Sequence, residues 1–273
     1  MPLGACGSKS ATSSTPKDFQ QSYKVEEEKK GSKVSASVAS QRAKAISEKM
    51  EEKTTAYSSD TGKFIEDSKQ FSYSFKNVID DSIYFNSYVN YSSTEEFFSQ
   101  KIEVLSKEDN LRHTSTNYEY VMDEKVIEAF VNENGTGYYY TYQKEGYQYN
   151  GIFAFLSEMI LECGNQMKNF LQQSEVYMGG SVPGVTTEFR SSGEGNLYMK
   201  LSIPSSGITM EALFEDYWLT YEYMYTDLTQ LMKDMPKEYR DLIQNQRMVT
   251  ELHIDFQHAE VNRPNLENLK EYK

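Results

Sequence analysis

Three histidines, His113, His253 and His258, are the first residues to weigh for catalysis or metal binding. His253 and His258 lie in a stretch that alternates like a strand, at an odd separation, which puts them on opposite faces. No His-Glu-x-x-His pattern occurs, so the spacing that seats zinc on one helix face is missing. Gly179-Gly180-Ser181-Val182-Pro183 is the nearest approach to a nucleophile elbow, and it lacks the final glycine and the strand–turn–helix setting. Gly193-Glu194-Gly195 lacks the third glycine and the following helix of a dinucleotide fingerprint, and reads as a hairpin turn. Asn132-Glu133-Asn134-Gly135 shares part of a calcium loop, without its opening Asp or closing Glu. Asp80-Asp81 and Glu215-Asp216 supply carboxylates of the kind that glycosidases use in pairs. A chain with 41 Asp and Glu brings such acids together by chance. The sequence points away from an enzyme and calls for no cofactor and no metal.

Cysteine chemistry points elsewhere. The chain has two cysteines, Cys6 and Cys163, too few for a disulfide scaffold. Leu3-Gly4-Ala5-Cys6 resembles the bacterial lipobox: an aliphatic residue, two small residues, then the cysteine. In a lipobox the small residues admit a signal peptidase, and the thiol carries diacylglycerol. Two acyl chains hold a membrane far better than one. The expectation is a remnant at 1–6 with Cys6 lipidated, the apolar and basic parts of a signal peptide lying upstream. Cys163 then has no partner and reads as a small buried apolar residue. Residues 7–38 are rich in Ser, Thr, Lys and Glu and poor in large apolar side chains, the composition of a disordered tether. About 30 such residues would span roughly 30 Å root-mean-square.

Composition narrows the partners. There are 41 acidic against 28 basic residues, a net charge of −13, which opposes binding to nucleic acid and electrostatic docking on anionic lipid. No apolar run is long enough to span a bilayer as a helix. The 22 Tyr and 14 Phe favour strands, where aromatic rings fit a pleated, half-wet surface.

These residues must sit on elements. Ala39, Ala43, Ile46 and Met50 recur at helical spacing and predict a helix ending near Tyr57, before Ser58-Ser59-Asp60-Thr61-Gly62. From Phe71 to Asn150 the chain reads as consecutive strands with turns at Glu108-Asp109-Asn110, Asp123-Glu124-Lys125, Asn134-Gly135-Thr136-Gly137 and Glu145-Gly146. Such short links leave no room for crossover helices, so the strands form an antiparallel meander. Ile152 to Leu171 changes period: Ile152, Phe155, Leu156, Met159, Ile160, Cys163, Met167, Phe170 and Leu171 make one apolar helical stripe. Strands return at 185–190, 197–203, 209–214 and 218–225, and a last one runs from Met248 to Val261. The expectation is one α+β, mostly β domain at 39–264, followed by a polar tail at 265–273.

The order of helix, meander, helix and further antiparallel strands is similar to the LolA-like fold of lipoprotein carriers and related extracytoplasmic lipoproteins. That resemblance implies a curved antiparallel sheet, an unclosed barrel, covered by helices on its concave face, with an acyl chain or other apolar ligand held between. It implies that Phe155, Met159, Cys163, Met167 and Phe170 line the cavity, flexible Met suiting irregular apolar ligands. Plain core filling explains the same stripe and is the simpler reading. Carriers that shuttle lipoproteins are soluble, whereas Cys6 would anchor this chain to the extracytoplasmic face of a bacterial membrane. A different class is a surface domain that contacts a protein or glycan through Tyr138, Tyr140, Tyr142, Tyr147 and Tyr149 on an exposed convex face. A third is an envelope-stress sensor, which no residue singles out.

Overall fold

A computed structural model describes residues 17–59, 61–79, 83–106, 111–147, 184–227, 236–237 and 247–272, with Ile152, Phe155, Leu156 and Met159. The chain opens with a 3-10 turn (Lys17–Phe19), then α1 (Glu27–Lys30), β1 (Ser32–Lys33), α2 (Ala36–Ser59) and α3 (Thr61–Ser68). Six strands follow: β2 (Gln70–Ile79), β3 (Ile83–Ser92), β4 (Phe97–Leu105), β5 (Arg112–Met122), β6 (Lys125–Asn132) and β7 (Gly137–Gln143). Five more are β8 (Thr186–Gly193), β9 (Asn196–Ile203), β10 (Ile208–Glu215), β11 (Trp218–Asp227) and β12 (Arg247–Asp255). A 3-10 turn (Leu266–Asn268) leads into β13 (Leu269–Tyr272).

Strand makes up 54% of the structure against 22% helix, so the protein is mostly β. The described strands form one curved sheet in the order β1-β8-β9-β10-β11-β12-β2-β3-β4-β5-β6-β7-β13. Two antiparallel meanders, β2–β7 and β8–β12, are sewn together where β12 pairs with β2. The order starts and ends on different strands, so the sheet is unclosed.

Local chemistry explains the meanders. The hairpins at Asp123-Glu124 and Asp216-Tyr217 have positive φ at both central residues, the geometry whose twist matches paired strands. In α2 the side chains of Ala39, Ala43, Ile46, Met50 and Tyr57 are buried, the i, i+3, i+4 pattern of a helix with one apolar stripe. They share a core with Phe64 of α3, Phe71 and Tyr73 of β2, Phe214 of β10, Trp218 of β11, and Leu252 and Ile254 of β12. We call this face of the sheet the helix side. Two smaller clusters occupy the far side. One joins Val78, Leu213, Tyr221, Tyr223 and Val249 to Phe19 and Val25. The other gathers Phe97, Tyr120, Ile127 and Ala129, with Val261, Leu266 and Leu269 against it.

Those far-side clusters correct the expected boundaries. Residues from 17 onward do not belong to the tether: Phe19 and Val25 are buried, and β1 pairs with β8. A Cβ on Gly31 would come within 2.4 Å of the Ser191 backbone, and its φ is 76°, so glycine alone fits where this segment reaches the sheet. The polar tail is likewise part of the domain, because β13 adds in parallel to the edge of β7. The last strand of the second meander stops at Asp255, not Val261. The helix α3 carried no sequence signal strong enough to separate it from the Ser58–Gly62 break.

Candidate functional site

The predicted stripe divides. Ile152, Phe155, Leu156 and Met159 are helical and buried in the main core. The Phe155 ring lies 5.3 Å from Tyr73, 6.1 Å from Phe98 and 6.5 Å from Phe71, so this part of the stripe sits on β2 and β4. Cys163, Met167, Phe170 and Cys6 lie outside the described residues.

Further along the helix side the covering thins. Phe75, Ile208, Met224, Phe189 and Val185 are only partly buried where they pack against the core. Cross-strand register places Phe189, Met199, Ala212, Glu222, Leu252, Phe75, Ser87 and Ile102 in one row across seven strand junctions. Two members of this apolar row are polar. Glu222 is 2% exposed and Ser87 is 4% exposed. The Ser87 hydroxyl makes no hydrogen bond among the described residues, which is unusual for a buried oxygen. Three strand spacings separate the two residues, roughly 14 Å. Met199, Ala212 and Leu252 are buried as well, while Phe75, Phe189 and Ile102 are partly exposed, and an apolar floor with few polar groups is the usual lining of a small-molecule site. Sequence patterning missed Ser87 and Glu222, because a polar residue within a strand reads as solvent-facing until the sheet is assembled.

The far side carries a different arrangement. One register row runs Glu188, Lys200, Glu211, Tyr223, Glu251, Lys76, Asn86, Glu103. Residues 18–25 lie across it as a strap. The Glu251 carboxylate, 4% exposed, accepts from the backbone N–H of Ser22 and Tyr23 at 2.8–2.9 Å and pairs with Lys76 Nζ at 2.7 Å. Lys76 also donates to the Gln20 carbonyl and the Ser22 hydroxyl. Gln21 donates to Glu211 and to the Tyr221 hydroxyl, and Tyr223 donates to the Phe19 carbonyl. Burial, then the Glu251 charge, pushes the Tyr221 and Tyr223 phenols well above their ordinary range. The strap fills this polar groove with the chain's own backbone.

The histidines are dispersed. His253 stacks on Tyr23 at 3.8 Å, His258 bonds Asp255, and His113 faces Glu133. Among the described residues no group of three His, Cys, Asp or Glu side chains is placed to hold a metal ion. Burial lowers the His253 pKa below its ordinary 6.5, with Lys29 acting the same way and Asp255 and Glu251 opposing. An unfolded His253 takes up a proton near pH 6.5, while the folded one resists it. Folding stability should fall as pH drops below about 6.5 and level off below the folded value. Urea midpoints at pH 7.5, 6 and 5 should decline more steeply in the wild type than in His253→Phe; parallel profiles would remove His253 from the explanation.

The tyrosines of β7 bear on another expectation: Tyr138 and Tyr142 are exposed, and Tyr140 is partly so. Tyr138, Tyr140 and Tyr142 share a face, as alternation predicts, but it is the helix side. Tyr140 pairs with Glu128, Glu128 with Glu119, and Glu119 with Phe98 of the main core. Tyr149 lies outside the described residues.

In comparisons with known proteins, the chain matches no family model and no curated sequence. Among the described residues no helix is long and apolar enough to cross a membrane.

Proposed function

We propose that this chain is an extracytoplasmic bacterial lipoprotein, anchored by diacylglycerol at Cys6, whose LolA-like domain holds a lipid or other apolar ligand on the helix side of its sheet. The observation that supports it is the set of partly exposed apolar side chains on the helix side, Phe75, Phe189 and Met224, beside a buried Ser87 hydroxyl that makes no hydrogen bond among the described residues. An acyl chain suits the row, and an ester or hydroxyl head group suits Ser87. Because residues 17–38 are packed, residues 7–16 separate Cys6 from the domain, a reach of at most about 36 Å. On this reading the domain works close to the bilayer.

The test uses cis-parinaric acid, a fluorescent acyl-chain probe, with the full chain. Binding should be saturable, and Met224→Trp should weaken it about tenfold, the equivalent of 1.4 kcal/mol. Thermal unfolding of the variant should stay near the wild type, since Met224 is only partly buried. Probe binding absent from the wild type, or unchanged by Met224→Trp and Ser87→Val together, would remove the ligand. Separately, Cys6→Ser in the natural host should move the chain from the membrane fraction to the soluble one; retention in the membrane would remove the anchor.

A further inference from the structure

We propose that the tyrosine row on β7 and β13 is a second binding surface, for an extended lysine- or arginine-rich segment of a protein partner. The row is continuous. Ring centroids lie 5.8 Å apart for Tyr138 and Tyr140, and 6.2 Å apart for Tyr140 and Tyr142. Tyr272 of β13 joins at 5.4 Å from Tyr138 and 5.9 Å from Tyr140. Tyr138, Tyr142 and Tyr272 remain 37%, 38% and 42% exposed, so their rings are open to a partner. Contiguous exposed aromatics mark interaction sites more often than plain surface.

The charge around the row selects the partner. Glu128, only partly buried, stands directly across from Tyr140 and beside the Tyr142 hydroxyl. The faces of the tyrosine rings are electronegative as well. A cation answers both features, because it is drawn to ring faces and can pair with the Glu128 carboxylate.

The chain itself shows the mode of docking. The Lys270 ammonium sits 4.6 Å over the Tyr272 ring. It is carried there by a short extended segment that pairs with β7 in parallel, backbone bonds fixing the register while the side chain reaches the aromatics. Among the described residues β13 ends the strand order, so a further extended segment can add alongside it. In such a segment, every second side chain would fall on the face of Tyr272 and Tyr138. This surface lies several strands from the apolar row around Phe75 and does not depend on it.

The net charge of −13 attracts any polycation diffusely, so the test must separate the row from the field. The full chain is titrated calorimetrically with an alternating Lys-Thr octapeptide, in parallel with Glu128→Gln and Tyr142→Ser variants. Both substitutions are at incompletely buried positions, and Met224→Trp serves as a remote control. The expected result is saturable binding that each row variant weakens at least about fivefold, a size suited to losing one ring–cation or charge contact. Met224→Trp leaves it unchanged. Equal binding by wild type and both row variants would overturn the proposal in favour of diffuse attraction. So would binding of phosphatidylcholine vesicles or maltohexaose, but not the peptide, in a manner sensitive to Tyr142→Ser.

Discussion

Glu251→Ala should destabilise the protein by about 3–5 kcal/mol, the cost of removing one partner from a buried ion pair. Its carboxylate is almost fully buried and holds three donors: two backbone N–H groups of the strap and the Lys76 ammonium. Without it, Lys76 keeps a buried charge, and the strap loses the acceptor that fixes Ser22 and Tyr23. The loss should therefore be local before it is global. Limited trypsin digestion should cut after Lys24 in the variant under conditions where the wild type resists. Glu251→Gln retains oxygen and shape but not charge, and should fall between the two. If the urea midpoint of Glu251→Ala matches the wild type and Lys24 stays protected, the strap is not held by this residue.

The second large effect is expected at Trp218, the single tryptophan of the chain. Its ring stacks on Tyr57 at 5.9 Å with an interplanar angle of 8°, meets Phe64 edge-on at 6.0 Å, and faces Phe256 at 6.0 Å. It therefore ties α2 and α3 to β11 and to the exit from β12. Trp218→Ala should cost about 3–5 kcal/mol through lost burial and a residual cavity. In a domain of this size that corresponds to roughly 6–20 °C of Tm. Trp218→Phe refills most of the space and should recover more than half of the loss. Differential scanning calorimetry of the three proteins decides it. A Trp218→Ala Tm within a degree or two of the wild type would mean that the helices do not depend on this contact.

The two substitutions probe opposite faces of one sheet, which explains why both weigh so heavily. Trp218 to Tyr223 are six consecutive buried residues, although a strand with one wet face would alternate. The helices cover one side of β11 and the strap covers the other. Phe75, Phe189 and Met224, like the tyrosine row, occupy parts of the helix side where burial is incomplete.

Much of this was determined by sequence alone. Period-two alternation and turn chemistry are local properties, so the order and approximate bounds of β2 to β12 were legible. The spacing of Ala39, Ala43, Ile46 and Met50 announced α2, and that of Ile152, Phe155, Leu156 and Met159 announced a buried helical stripe. Alternation also put Tyr138, Tyr140 and Tyr142 together. Only the tertiary structure decided which face they occupy, because that depends on the register of β7 on β6 and of β6 on β5. Only the tertiary structure turned residues 17–38 from a polar stretch into part of the domain. Its contacts run from Ser22 and Tyr23 to Glu251 across more than two hundred residues, and no local pattern encodes such a bond. The parallel docking of β13, the joining of the meanders through β12 and β2, and the burial of Ser87 and Glu222 arise in the same way. Each is a property of side chains that meet only after the sheet has curved and closed its layers.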